Sequence, residues 1–287
     1  MNVQEKRLRY RQVLTGKECI HPASVYDPMS ARMADSLGFP VGMLAGSVAS
    51  AVVLGAPDLV VLTLTEFADL IHRITRASDL SLMVDADHGY GNALSVMRTV
   101  EELESAGVAA LTIEDTLLPE PFRKQPGQEM LSLEEGIGKM RAALAAREDP
   151  SLTIIARTSA LNLAGLEEAV KRVKAYSQLG VDGLFVTGVN NLQQLQAVHQ
   201  AASLPLLLGT APSALGDRRV LGANGVRVAL RGHQPFWASV KAAYDALKHL
   251  AEGGAPEALQ ERVASPELTN LATRNQEYAR RRKEFLG

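Results

Sequence analysis

The sequence predicts an α/β protein built as a (β/α)8 barrel of the TIM type. Three observations carry that expectation. Short apolar runs alternate with amphipathic stretches of helical period, eight times over within 287 residues. The runs are apolar along nearly their whole length, the pattern of parallel strands covered on both faces. Several helical stretches stop at a glycine with a new apolar run directly after it, at Gly38, Gly107 and Gly180.

Taken in order, the strands are expected at residues 20–25, 41–45, 81–85, 110–114, 153–157, 183–187, 204–208 and 225–230. Helices are expected at 28–37, 65–77, 93–106, 133–147, 166–178, 191–202, a short one near 214–221, and 235–250. The first residues, MNVQEKRLRYRQVLTG, scatter charges among apolar positions and read as a short amphipathic helix, not a signal peptide. An open doubly wound sheet is the competing architecture, but Gly89-Tyr90-Gly91-Asn92 supplies only the first two glycines of its phosphate fingerprint. No linker splits the chain, so residues 1–254 are expected to form one barrel domain. Residues 255–287 follow as a polar helical arm, either a solvated face or an arm on a neighbouring subunit anchored by Leu271, Tyr278 and Phe285.

Composition narrows the function classes. With 46% hydrophobic and 22% charged residues, the chain is ordinary globular material. A formal net charge of −2 leaves no basic field to attract nucleic acid. The single cysteine, Cys19, rules out a disulfide framework and a thiolate cluster and suits a cytoplasmic setting. No stretch reads as a membrane span; the most apolar region, 41–57, is broken by Gly and Ser. One segment breaks the rhythm: 117–131, LLPEPFRKQPGQEML, is a long Pro- and Gly-rich connection bearing Arg123 and Lys124, the kind of loop that serves as a lid or binding loop.

Chemistry in such a barrel belongs at the C-terminal strand ends. There the sequence places Gly46-Ser47, Asp85-Ala86-Asp87, Glu114-Asp115, Arg157-Thr158-Ser159 and Gly232-His233. Asp85 and Asp87, two residues apart on an extended chain, are expected to face one mouth with Glu114 beside them. Three adjacent carboxylates stay ionised cheaply only around a cation, and an all-oxygen set suits Mg²⁺ or Mn²⁺ over Zn²⁺. The plainer alternative is a helix cap or a buried ion pair. Arg157 could grip a carboxylate bidentately or, equally, serve as structural partner to Glu114 or Asp85. Ser47, after Gly46, offers either backbone N–H groups to an anion or a simple tight turn. His233 is placed to act on substrate or to be a satisfied structural group, and His88 adjoins the acidic pair.

The motifs AGSVAS (45–50), GAPD (55–58), DADHGYGN (85–92), LTIEDT (111–116) and IIART (154–158), taken together and in this order, resemble the phosphoenolpyruvate mutase/isocitrate lyase superfamily. DADHGYGN and the histidine of RGH are similar to its oxaloacetate-decarboxylating branch. The resemblance implies a Mg²⁺-dependent barrel, with Mn²⁺ as a substitute, acting on a small 2-oxo acid through an enolate. Carried over by motif, Asp85 is implied as the direct metal ligand, with Asp87 and Glu114 binding through water and Asp58 completing an acidic ring. Gly46 and Ser47 are implied as the 2-oxo acid cradle and Arg157 as the clamp on its carboxylate. Exchange of C-terminal helices in a homotetramer, a dimer of dimers, is implied as well.

The departures are informative. Lyases of this superfamily carry Lys-Arg-Cys-Gly-His on the loop after strand four, where this chain has PEPFRKQPGQ, which argues against isocitrate or methylisocitrate cleavage. Ser159 stands where Asp is common and His88 where Thr is common. Loss of CO₂ from oxaloacetate, or from a 3-substituted oxaloacetate, requires an electron sink but no acid on that loop. His233 is then the candidate to orient substrate or protonate the product carbon. The alternatives are another lyase of the superfamily, methylisocitrate lyase-like or phosphonopyruvate hydrolase-like, and a non-catalytic carboxylate-binding barrel.

Overall fold

Eight strands, each hydrogen-bonded to the next in chain order and all parallel, wrap into one sheet. The computed structural model describes residues 1–122 and 129–287. The strands are β1 (Ala23–Ser24), β2 (Val41–Leu44), β3 (Ser81–Asp85), β4 (Ala110–Glu114), β5 (Thr153–Thr158), β6 (Gly183–Val186), β7 (Leu206–Leu208) and β8 (Val226–Ala229). The sheet curls until Ile20 bridges Val228 in parallel, bringing the end of the ring back to its start. The expectation of an α/β fold of TIM type is met. β3 and β4 fall on the residues predicted for them; β1 is far shorter than 20–25, since Pro22 has no N–H to give to a ladder.

The helices that cover the strands start where side chains can satisfy their free N–H groups. They are α1 (Val3–Thr15), α2 (Pro28–Ser36), α3 (Gly46–Leu54), α4 (Leu64–Thr75), α5 (Ala93–Ser105), α6 (Leu133–Ala146) and α7 (Ala160–Leu163). After them come α8 (Leu166–Ser177), α9 (Leu192–Ala201), α10 (Arg218–Ala223), α11 (Gln234–Ala251), α12 (Pro266–Thr273) and α13 (Asn275–Phe285). Asn2 with Glu5 and Thr63 with Glu66 form capping boxes; Asp27 caps α2 just ahead of Pro28. The strands carry fully buried aliphatic residues on both faces, Leu82 and Val84 as much as Met83, which accounts for their unbroken apolar spelling.

α1 closes the N-terminal end of the barrel, with Tyr10 wholly buried and its hydroxyl donating to Met83 Sδ at 3.2 Å. Its buried face is charged as well as apolar. Lys6 Nζ donates to the carbonyls of Thr75 (2.7 Å) and Ser78 (2.5 Å). Arg7 reaches Val108 O at 2.9 Å, Glu104 O at 2.7 Å and Asp149 Oδ2 at 2.6 Å.

α3 and α7 are additional to the predicted helices. α3 occupies a stretch, SVASAVVL, whose β-branched residues mask its helical period. At the other end of the chain, α12 lies on α2, where Arg32 Nη1 donates to Ala272 O at 2.6 Å. α13 buries none of its residues. α11 buries only Phe236 and leaves Trp237, Val240, Tyr244 and Leu247 exposed along one stripe. Residues 123–128, including Arg123 and Lys124 of the long connection, lie outside the described residues; on either side of them Thr116 and Met130 form an antiparallel bridge.

Candidate active site

The strand ends surround a cavity of about 410 Å³, and most of the residues singled out in the sequence stand on its wall. β3 delivers Asp85, β4 Glu114 and β5 Arg157, while Ser47 comes from the first turn of α3, Asp58 from the loop after it, and His233 from the turn after β8. All are on the side where parallel strands finish, as barrel chemistry requires.

Asp87 reaches the cavity by a different route from the one its spacing suggested. β3 ends at Asp85, and Asp87 sits in the following turn with a left-handed backbone, φ +46°. Strand alternation therefore does not align the pair; a strained turn does. Gly46 makes the room. A Cβ at position 46 would lie 2.5 Å from Asp87 Oδ1, so only glycine lets the carboxylate lie against the start of α3. That helix end presents backbone N–H groups and the positive pole of the dipole to the acidic side of the cavity.

Arg157 lies between two of the acids. Its Nη1 is paired with Asp85 Oδ2, and its Nε lies 3.2 Å from Glu114 Oε2 as an ion contact without hydrogen-bond alignment. Its guanidinium carbon stands 5.5 Å from the centre of the Phe185 ring. Asp85 Oδ1 in turn accepts from Thr112 Oγ1 at 3.0 Å. The structural-partner role and the place on the cavity wall thus coexist in one residue.

One cation does not balance four carboxylates. Burial and then the charges of Asp85, Glu114 and Asp58 push the Asp87 carboxyl well above the usual carboxylate range, with Arg157 opposing. Burial also raises Glu114, against the pull of Arg157 and with Asp85 adding to the rise; Asp58 is raised by burial and by Asp85. Burial would lower Arg157, yet Asp85 and Glu114 hold it firmly in its charged form. Burial lowers His233, partly offset by Asp85, favouring a neutral imidazole whose Nδ1 is hydrogen-bonded to Ser24 Oγ at 2.9 Å.

Two strand-end neighbours turn away from the cavity. Asp115 points outward from β4 and accepts from Arg172 Nη1 at 2.8 Å and from the Tyr176 hydroxyl at 2.7 Å, as the two-residue period of a strand dictates after Glu114. Ser159 accepts from Thr187 Oγ1 at 3.0 Å and does not reach the cavity wall. His88 is buried with its Nδ1 unpartnered, and burial takes its pKa down to about 4. Sequence reasoning missed Asn162, Thr187, Asn190 and Thr210, which line the far side of the cavity, and Ser24, which holds His233. Thr187 and Thr210 follow β6 and β7, so the strand-end rule would have found them; Asn162 sits on the single-turn α7 and Asn190 on a loop, and the spacing of neither carries a signal.

Residues 11–251 match the phosphoenolpyruvate phosphomutase family, five-sixths of the chain. The chain belongs to that family. Among curated relatives, an oxaloacetate decarboxylase of Bradyrhizobium diazoefficiens is 50% identical over 287 residues, covering 100% of this chain and 99% of the relative. One of Rhodopseudomonas palustris is 50% identical over 284 residues, covering 99% and 98%. Among solved structures, oxaloacetate acetylhydrolase with the inhibitor 3,3-difluorooxalacetate superposes with a TM-score of 0.85 at 28% identity, covering 99% of this chain and 98% of that one. A phosphoenolpyruvate phosphomutase of Streptomyces platensis subsp. rosaceus gives 0.86 at 27%, covering 98% and 99%. The resemblance carried by the strand-end motifs is therefore borne out across the whole phosphomutase-family barrel.

Proposed function

We propose that this chain is a carbon–carbon lyase that removes CO₂ from oxaloacetate to give pyruvate. The observation that carries the reading is an acid-rich cavity with one buried arginine, in a chain half identical end to end to proteins named oxaloacetate decarboxylase.

The donor set fits a hard divalent cation, Mg²⁺ or Mn²⁺. Asp85, Asp87, Glu114 and Asp58 are oxygen donors crowded enough that burial and the neighbouring charges raise Asp87, Glu114 and Asp58 above the usual carboxylate range, a cost that a bound cation would relieve. Among the described residues no three acidic, histidine or cysteine side chains converge as a ready-made ligand set, so water would complete the shell, as Mg²⁺ prefers. When bound, the cation supplies positive charge opposite the negative charge that develops on the 2-oxo group.

The chain's own residues do the rest. Arg157, fixed by Asp85, Glu114 and Phe185, binds the C1 carboxylate; Gly46 and Ser47, at the positive end of α3, cradle the same end of the substrate. The C4 carboxylate faces the neutral side of the cavity, where Asn162 and Asn190 stand. There, among the described residues, only neutral amides face it, with no cation to hold its charge, which favours release as CO₂. The C3–C4 electron pair passes into the enolate, and C3 then takes up a proton. His233 orients the substrate or relays that proton; with Nδ1 held by Ser24, transfer runs through Nε2.

Pyruvate formation from oxaloacetate, dependent on Mg²⁺ and abolished by EDTA, is the expected result. Activity that persists in EDTA overturns the cation. Release of oxalate and acetate in place of pyruvate moves the chain to the chemistry named for its acetylhydrolase neighbour. Binding of oxalate without turnover of any 2-oxo acid makes it a non-catalytic barrel.

The same reading includes a cytoplasmic homotetramer in which helices beyond the barrel are exchanged. The exposed stripe on α11 supports exchange more strongly than residues 255–287 do, since α12 already lies on its own chain. Light scattering that returns the mass of a monomer would overturn it. No helix among the described residues is long and apolar enough to cross a membrane.

A further inference from the structure

The turn that carries Asp87 is held from outside the cavity. Three successive carbonyls each receive a donor from a different element. Asp87 O accepts from the Glu114 N–H of β4 at 2.8 Å, His88 O from Lys139 Nζ of α6 at 2.7 Å, and Gly89 O from Thr99 Oγ1 of α5 at 3.0 Å. The middle donor is the unusual one. Lys139 is 3% exposed and spans 51 residues to place an ammonium on a single backbone oxygen. A buried ammonium is costly, and a neutral donor would satisfy the carbonyl at less expense. Burial draws the pKa of Lys139 down, against the opposing pull of Glu135, Glu114 and Asp115.

The chain offers its own comparison. Lys6 is similarly buried, at 6% exposure, and likewise donates to carbonyls, but at the opposite end of the barrel. Lys139 alone is bonded to the residue next to a cavity carboxylate, and that carboxylate stands on a left-handed backbone at φ +46°. Such a conformation persists only where the surroundings over-determine it.

We propose that Lys139 is a positioning residue: its bond to His88 O locks the turn that presents Asp87 to the cation. The proposal rests on the divalent-cation reading above. It is tested by titrating the full-length protein with Mn²⁺, following binding by calorimetry and by the loss of the free-ion electron paramagnetic resonance signal. Lys139→Met is compared with Lys6→Met, each below its own unfolding temperature. The expected result is a Kd for Mn²⁺ raised tenfold or more in Lys139→Met and changed less than twofold in Lys6→Met, with the KM for oxaloacetate at saturating Mn²⁺ unchanged in both. Equal weakening in the two variants, or a Lys139→Met Kd within twofold of the parent protein, overturns the positioning role. Failure of the parent protein to bind Mn²⁺ overturns the cation reading and this proposal together. Should Lys139→Met not fold, Lys139→Gln, which is shorter and uncharged, is judged by the same criteria.

Discussion

The two ends of the barrel bury charge by opposite rules. At the floor, each buried cation meets partners that satisfy it. Arg7 is matched by Asp149 and two carbonyls, Lys6 by two carbonyls, and Asp182 by Arg11 at 2.9 Å and Arg147 at 2.7 Å. At the mouth, Asp58, Asp85, Asp87 and Glu114 share Arg157, and the imbalance appears in Asp58, Asp87 and Glu114, which are driven toward protonation. The same residue types thus serve as fasteners at one end and as a loaded site at the other. Charge left uncompensated inside a fold is a mark of chemistry, because stability alone would have removed it.

The largest expected effect comes from breaking the mouth. Asp85→Ala should lower kcat for pyruvate formation by about three orders of magnitude or more, the several kcal/mol that a catalytic cation supplies. Retained turnover would mean that the acidic cavity is not the reaction site. Breaking the floor should do the reverse. Arg7→Met takes a donor from Asp149 and from the carbonyls of Val108 and Glu104, and should cost about 3 kcal/mol of stability in urea unfolding. Its kcat, measured where it remains folded, should stay within twofold of the parent protein, and a large drop in kcat would erase the contrast between the ends.

A smaller loss is expected at His233. His233→Gln should slow turnover by about a hundredfold, within the range of proton-transfer catalysis, with Mn²⁺ affinity retained. Deuterium uptake at the pyruvate methyl that is undiminished in rate would remove His233 from the proton path.

The smallest effect is one of pH. Burial would raise Asp149, but hydrogen bonds from Ser151 and Arg7 hold it down to about 2. Its contribution to stability is complete above the ordinary carboxylate value of ~3.9 and lost as pH falls toward 2. Asp149→Asn should flatten that acid limb of melting temperature against pH. Asp87 has the opposite sign, since its folded-state value is raised: its contribution is present below ~3.9 and lost as pH rises through the higher value. In EDTA, Asp87→Asn should therefore gain on the parent protein as pH rises.

The fold was legible because a parallel barrel writes each strand as a short apolar run and each turn as a glycine, and β3 and β4 match residue for residue. The site was legible because barrel chemistry has a fixed address at the strand ends. What escaped was geometry set by contacts remote in sequence. Asp87 depends on the missing Cβ of Gly46, 41 positions away, and on a carbonyl held from α6; the two-residue spacing put Asp87 at the cavity for the wrong reason. α3 escaped because Val48, Val52 and Val53 read as strand formers, whereas their surroundings decide for helix. Asn162 and Asn190 escaped because a lone amide on a one-turn helix or a loop has no period to betray it.

The ring of strands is not sewn equally all the way round. β4 and β5 are aligned over five residue pairs, but the line where the ring meets itself has, among the described residues, only the backbone amides of Ile20 and Ala229, at 2.9 and 3.0 Å. Side chains add three more stitches there: Arg227 Nη1 to Lys17 O at 3.3 Å, His21 Nδ1 to Ala229 O at 2.8 Å and, higher up, Ser24 Oγ to His233 Nδ1. His233 is thus a clasp as well as a residue of the cavity wall, and the seam it helps to fasten runs up to that cavity. Opening of the ring along that line would part the contact between Ser24 and His233, so one hydrogen bond both helps to hold the seam and sets the place of a cavity imidazole.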